Sequence, residues 1–301
     1  MKHLLASLII NCLANFSNAA LFTNSFSADS FVRSNAPTSN YGGAGALSVS
    51  GATATNGSGV AMGIADTFIR FNTAAMVTNF DSLFGTNNWV INGATLVVTE
   101  VAAPMNNLFD RGKGAFQISW ISNDDWIEGT GTPATPTTDG IVYANEPTLL
   151  TNVVNLGTFT NAAANSTTPY PLSLPAAFVA DMNAGGDVSL YLNAADSRTG
   201  FTFDSRSFTT TNQQPFILIS AVPQPGVANL SLSGTDVVIS ATNGVAGDTY
   251  IVWASTNLAL PLSQWTPVAT NQLAVGGNFT IIATNAAALD AAQQFFILQT
   301  Q

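Results

Sequence analysis

The chain has 301 residues, 47% hydrophobic and only 8% charged, with a formal net charge of −10. Its apolar content excludes a disordered chain, its acidity excludes nucleic acid and anionic lipid surfaces as partners, and its length allows one large or two medium domains. One cysteine and one histidine leave no room for a disulfide framework or a multi-histidine metal centre.

The first residues differ in character from the rest. Lys2 and His3 give a short basic start, Leu4 to Leu13 an apolar run, and Ser17-Asn18-Ala19 a small-x-small site. Residues 1–19 therefore read as a secretory signal peptide, too short to span a bilayer as a helix. Cleavage after Ala19 would remove Lys2, His3 and Cys12, leaving six basic against seventeen acidic residues and a formal charge of −11. A Ser-His-Asp triad, a Cys-His pair and a His-ligated zinc site are then excluded. No later stretch reaches eighteen continuous apolar residues, so no membrane span is expected and the destination is extracellular or the cell surface.

Alternation predicts a first strand over Ser25–Arg33, then an extended loop through Asn40-Tyr41-Gly42-Gly43 to a short strand, Leu47–Ser50. Ala52–Gly59 is a surface loop and Asp66–Asn72 the next strand. Asp29 and Asp66, inside strands, read as hydrogen-bonded structural acids. Ala74, Val77, Phe80, Leu83 and Phe84 fall at helical spacing before Gly85, which predicts a short helix over Thr73–Phe84. Trp89–Val101 and Ala115–Trp120 are strands, and the Asn-Gly pairs at Asn56, Asn92 and Asn243 are hairpin-type signals. The Pro/Thr/Gly run Thr130–Gly140 must be a loop. Further strands follow over Val153–Phe159, Asp187–Asn193, Phe201–Phe203 and Phe216–Val222. A Pro-punctuated stretch, Pro169–Pro175, and a second short helix, Ala176–Asn183, lie among them. The fold expected from these elements is all-β: a single large sandwich with two short helices over residues 20–222.

Val222-Pro-Gln-Pro-Gly226 reads as a linker covering residues 223–228. Beyond it, residues 229–301 carry their own strand rhythm, at Leu230–Leu232, Val237–Ser240, Tyr250–Ala254, Trp265–Val268, Asn278–Ala283 and Phe295–Gln299. That is a smaller second sandwich.

Several pieces of the first domain recur in one order: Ala28-Asp-Ser-Phe-Val-Arg33, Asn40-Tyr-Gly-Gly43 with Leu47 after it, Thr67-Phe-Ile-Arg-Phe-Asn72 and Gly93-Ala-Thr-Leu96. They continue with Asp125-Trp-Ile-Glu-Gly129, Val188-Ser-Leu-Tyr-Leu192, and Phe203-Asp-Ser-Arg206 running to Gln214-Pro-Phe-Ile-Leu218. This ordered set resembles the DNRLRE domain, also called carbohydrate-binding module family 96. The resemblance implies a jelly-roll sandwich in an exported bacterial protein, of a kind often attached to polysaccharide-degrading enzymes. Ser207 departs from the Glu that usually follows the Ser-Arg pair, and the helix over Thr73–Phe84 is an elaboration found in part of the family. Ala254-Ser-Thr-Asn-Leu258, Pro261-Leu-Ser-Gln-Trp-Thr266 and Gln293-Gln-Phe-Phe296 resemble a small β module at the ends of secreted proteins of environmental bacteria, which implies export and no activity.

Chemistry concentrates in Asn123–Gly131. Asp124, Asp125 and Glu128 offer hard oxygen ligands for Ca²⁺, although their spacing matches no EF-hand loop; the alternative is a solvated loop whose carboxylates cap turns. Asp125 or Glu128 with Glu146 or Asp204 would make a glycosidase pair, but any acidic chain offers such pairs. Trp126 and Tyr41, in loop sequence, are the candidate sugar-stacking platforms, with Tyr143 also available, whereas Trp89 and Trp120 read as core. Arg198 and Arg206 are candidates to grip a uronate carboxylate; the alternative for Arg206 is an internal pair with Asp204 or Asp196. The expected function is a non-catalytic protein that binds polysaccharide or mediates adhesion. Self-association as a matrix component through sheet edges, and a polysaccharide hydrolase or lyase, are the competing readings.

Overall fold

A computed structural model of the chain describes residues 5–8, 19–56, 58–101, 112–162, 165–288 and 291–300. In chain order the strands begin with β1 (Leu5–Leu8), β2 (Ala20–Arg33), β3 (Ala46–Ser50) and β4 (Ala65–Asn72). Helix α1 (Ala74–Phe84) precedes β5 (Trp89–Thr99), β6 (Ala115–Ile121), β7 (Val153–Thr160) and β8 (Thr167–Leu172). Helix α2 (Ala176–Asn183) is followed by β9 (Asp187–Ala194), β10 (Gly200–Asp204) and β11 (Phe216–Pro223). The remaining strands are β12 (Gly226–Ser233), β13 (Asp236–Gly244), β14 (Thr249–Ser255), β15 (Thr266–Gln272), β16 (Gly277–Ala283) and β17 (Gln293–Thr300).

The fold is all-β, as the alternation requires. Its main body is one ten-stranded antiparallel sheet in the order β7-β6-β9-β4-β2-β11-β5-β8, with β3 and β10 branching from β4. The sheet wraps until its ends nearly meet: Glu100 bridges to Phe203 on β10, and the Ser173 N–H reaches the Leu156 carbonyl of β7 at 2.8 Å. Inside lies a knot of aromatic rings from three different strands. Phe116 on β6 meets Phe201 on β10 at 4.5 Å and the edge of Tyr170 on β8 at 5.2 Å. Phe116, Phe201 and Phe203 are almost wholly buried.

Two differences from the expected elements have clear causes. The Pro-punctuated stretch contains a strand, β8, whose Thr95↔Pro171 and Val97↔Pro169 pairs sit at the end of the sheet order. Proline is tolerated there because an edge strand needs hydrogen bonds on one side only. Asn92-Gly93 lies within β5 instead of in a hairpin, while Asn243 does take a left-handed φ of 58° where β13 shifts register. The helix at Ala74–Phe84 forms as expected, but it buries Met76 and Phe80 and leaves Leu83 exposed. Gly85 ends it with a φ of +88°.

The chain divides into two compact units, one of 21–79 with 91–220 and the other of 1–20, 80–90 and 221–301. The second unit holds β17-β14-β15 and β12-β13-β16, two small sheets packed around Val237, Ile239, Tyr250, Val252, Phe296 and Leu298. Only Gln224 and Pro225 separate β11 from β12, so most of the stretch read as a linker is strand. Leu5–Leu8, within the segment read as a signal peptide, pairs in parallel with β17. Lys2, His3, Cys12 and the cleavage-site residues Ser17 and Asn18 lie outside the described residues. Among the described residues no helix is long and apolar enough to cross a membrane.

Replacing Phe201 with alanine opens a cavity among rings that cannot collapse onto one another, an expected loss of about 3–5 kcal/mol. In urea denaturation the midpoint should fall with the slope unchanged.

Candidate functional site

Three separated stretches of chain, Asn40–Gly43, Glu128–Gly131 and Thr137–Ile141, meet around one side chain. Asn40 is fully buried. Its amide nitrogen donates to the Glu128 carbonyl at 2.7 Å and the Ile141 carbonyl at 2.9 Å, and its oxygen accepts from the N–H of Gly42 at 3.0 Å and of Gly131 at 3.1 Å. The backbones approach so closely that side chains are excluded. A Cβ on Gly42 would stand 2.0 Å from the Glu128 carbonyl oxygen, and one on Gly131 1.9 Å from that of Asn40. Gly129 also has a φ of +77°, a conformation disfavoured for other residues.

Arg70, on β4, fixes the same loop from the other side. One guanidinium nitrogen donates to the carbonyls of Asp124 at 2.8 Å and Trp126 at 2.9 Å, and the guanidinium lies 5.0 Å from the centre of the Trp126 ring. Trp126 is 4% exposed, its indole N–H donates to the Ser189 hydroxyl at 3.0 Å, and its ring packs against Phe68. It is therefore a core residue and no sugar platform. Tyr41 is corrected in the same way: it is buried and stacks on Phe31 at 4.7 Å. Both aromatics are drawn inward because the loop carrying them is pinned to the sheet.

Glu128 turns away from Asp124 and Asp125. It forms a two-point pair with Arg206, at 2.7 and 2.6 Å, and accepts the Asp29 N–H at 3.0 Å. Asp29 in turn accepts the backbone N–H of Arg206 at 2.7 Å. Burial pushes the Asp29 carboxyl up to about 7 despite that bond. Two expectations are corrected here. The guanidinium of Arg206 is committed to Glu128 and is not free for a uronate, and the partner is neither Asp204 nor Asp196. The calcium trio does not converge, and among the described residues no group of three or more acidic, His or Cys side chains is arranged to hold a metal. Asp125 is exposed, while burial raises Asp124, whose carboxyl meets the Ser189 hydroxyl. Arg198 is exposed in the loop after β9, where its N–H meets the Asp196 carboxylate at 2.9 Å.

Among the described residues of this unit, two clefts border the candidate residues. The first, of about 640 Å³, is lined by Ser27, Arg70, Asp125, Thr130, Asp139 and Asp187 among others. Its aromatic lining residue, Trp126, is buried, and the exposed apolar group beside it is Ile127. Asp139 is held down to about 2 by hydrogen bonds from Thr130 and Thr137. This cleft is acidic and hydroxyl-rich, and it lacks an exposed flat face.

The second cleft, of about 610 Å³, is lined by Ser50, Asp66, Tyr143, Glu146, Tyr191 and Asn193 with their neighbours. Asp66 projects from β4, Tyr191 from β9, and Glu146 opens the 3-10 turn Glu146–Thr148. Asp66 and Glu146, each 5% exposed, hydrogen-bond each other and meet the Tyr191 hydroxyl. Burial raises both carboxyls, and for Asp66 the charge of Glu146 adds to the effect. Tyr143 stands at the same wall only half-buried. Glu146 and Tyr143 were legible as candidates in the sequence; their union with Asp66 was not, because 80 residues of chain separate Asp66 from Glu146. The hydrolase pairing of Glu146 with Asp125 or Glu128 fails on the same geometry, since the two sides line different clefts. Asp204 is buried within β10, and burial raises it to about 6.

No family model matches the chain, and no curated protein does. Solved structures give weak likenesses: a β-D-glucuronidase of Dictyoglomus thermophilum has a TM-score of 0.25 and 8% identity, over 98% of this chain and 45% of the other. A Ruminococcus gnavus β-glucuronidase gives 0.23 and 7%, over 96% and 44%, and a β-1,2-glucanase of Parabacteroides distasonis 0.23 and 11%, over 91% and 34%. The chain spans less than half the length of each. Likenesses at this level carry no argument about fold or activity.

Asn40→Ala strands three buried backbone groups and one part-buried carbonyl and should cost at least about 3 kcal/mol, seen as a lowered denaturation midpoint. The pH response follows from the raised carboxyls. Their protons are kept in the folded chain after the unfolded chain has lost them, from the ordinary values of 3.8 for Asp and 4.5 for Glu upward. Their contribution to stability is therefore fullest below about pH 4 and is lost as pH rises through the folded values. Asp66→Asn should flatten that fall, measured as thermal midpoint against pH.

Proposed function

We propose that the chain is a secreted, non-catalytic carbohydrate-binding or adhesion protein, related to the DNRLRE domain, that recognises a polysaccharide through loops of its large sandwich. The observation that carries this reading is the second cleft. There the half-buried ring of Tyr143 borders hydroxyl, amide and carboxyl groups of Ser50, Asn193, Asp66 and Glu146. An aromatic face beside convergent polar groups suits a sugar ring, whose C–H face packs on the aromatic while its hydroxyls take the hydrogen bonds.

The carboxyl pair in this cleft favours binding over hydrolysis. A glycosidase needs its two carboxyls about 5–10 Å apart, with sugar or water between them. Asp66 and Glu146 instead hydrogen-bond each other.

The test is affinity electrophoresis on gels containing neutral and acidic polysaccharides. Retention of the wild-type chain should fall at least about tenfold in affinity for Tyr143→Ala, the loss expected when a stacking ring is removed. Trp126→Phe should remain retained. A wild-type chain that is retarded on no polysaccharide would overturn the proposal.

A further inference from the structure

We infer that an apolar pocket of the second unit is a binding site for a small uncharged molecule with an apolar body and one carbonyl oxygen. The inference stands apart from the glycan reading. It concerns the other unit and a ligand that is no sugar, so either can fail without the other.

The pocket has a volume of about 620 Å³, within the range of small-molecule sites. Its described lining residues all belong to the second unit. Leu83 and Phe84 from the last turn of α1, Pro223 from the end of β11 and Val245 after β13 make an apolar wall. Gly277, at the start of β16, adds bare backbone at a φ of +110°. Leu83 is 58% exposed and Phe84 and Val245 are half-buried, so the chain itself leaves this wall uncovered. Among the described residues no charged side chain lines the pocket, although the chain carries a net charge of −10. An ionic group entering it would lose water without gaining a counter-charge, which selects an uncharged ligand.

A second observation is independent of the apolar wall. Asn243 supplies the one polar side chain among the described lining residues, and its Nδ2 is buried with no acceptor in reach. An amide donor left unmet inside a protein calls for a partner from outside. Asn40, in the other unit, spends its whole amide on four backbone groups, so the chain can satisfy such a side chain where structure alone requires it. Asn243 also holds a left-handed φ of 58°, at the point where β13 shifts register against β16 between Ala241 and Gly244. A shift of this kind re-aims the side chains of its strand, and here it sets the amide at the pocket wall. The last torsion of an asparagine is soft, so the N–H can turn to an oxygen in the pocket while the backbone stays in place. The complement of one unmet donor among apolar walls is one acceptor on an apolar body. A carbonyl oxygen fits, because it accepts the N–H and brings neither charge nor a donor of its own.

The experiment is ligand-observed NMR, by saturation transfer from the full chain, with acetophenone and ethylbenzene as probes. The two differ by a carbonyl in place of a methylene. Acetophenone should bind with a dissociation constant of about 10⁻³ M, as suits so small a ligand. Benzoate, of similar size but charged, should bind at least about tenfold more weakly. Asn243→Gly removes the amide and keeps a residue at ease with a left-handed φ, so the backbone is preserved. It should weaken acetophenone about fivefold and leave ethylbenzene unchanged, the loss of one hydrogen bond. Leu83→Gln should weaken both probes at least about threefold, whereas Ile127→Gln, at an exposed apolar position of the other unit, should weaken neither. Absence of saturation transfer to acetophenone up to about 5 mM overturns the inference. So does undiminished acetophenone binding by Asn243→Gly, or benzoate binding equal to that of acetophenone. Should the variants fail to fold, as judged by circular dichroism, competition on the wild-type chain decides: ethylbenzene that does not displace acetophenone overturns the site.

Discussion

The buried amide of Asn40 is the interaction on which the unit's loop face depends. One side chain satisfies four backbone groups from three stretches of chain, 40–43, 128–131 and 137–141. Three of those groups are buried and the Glu128 carbonyl is part-buried, so losing the amide costs desolvation energy without return. The glycines at 42, 129 and 131 follow from the same constraint, because only a bare backbone allows the strands of loop to approach so closely. With this junction closed, Arg70 can reach the Asp124 and Trp126 carbonyls, and Glu128 is delivered to Arg206.

This arrangement changes the meaning of the residues that resemble the DNRLRE pattern. Asp29, Asn40, Tyr41, Arg70, Trp126, Glu128 and Arg206 lie on or against the loops that meet around Asn40. Their functional groups, however, are spent on one another: carboxylate on guanidinium, amide on carbonyl, indole on hydroxyl. What such a cluster supplies is a rigid scaffold for loops, which is where recognition residues can vary at little cost to the fold.

Burial is distributed unevenly among the acids. Where a guanidinium is present, as at Glu128, the carboxyl group is tied to it by two hydrogen bonds at 2.6–2.7 Å. Where none is present, as at Asp66 and Glu146, desolvation raises both carboxyls, the charge of Glu146 adding to the effect on Asp66, and the pair becomes sensitive to pH. In a chain with five arginines and two lysines, the placement of each cation decides which acids are structural and which remain available.

Alternation and turn chemistry by themselves determined the all-β class, both helices and nearly every strand, because a period of two or of 3.6 residues is written locally in the side chains. They also marked the acids of 124–128 and the arginines as chemically notable. They failed at β8, where two prolines are harmless only because the strand lies at an edge, and at Trp126 and Tyr41, where loop sequence suggested exposure. Whether an aromatic in a loop faces water depends on where the loop is tied, and those ties run from Asn40 to residues about ninety to a hundred positions away. The same holds for Asp66 and Glu146: each was visible as an acid, but only tertiary structure brought them into contact and withheld a cation, since charge pairing depends on distance in space and not along the chain.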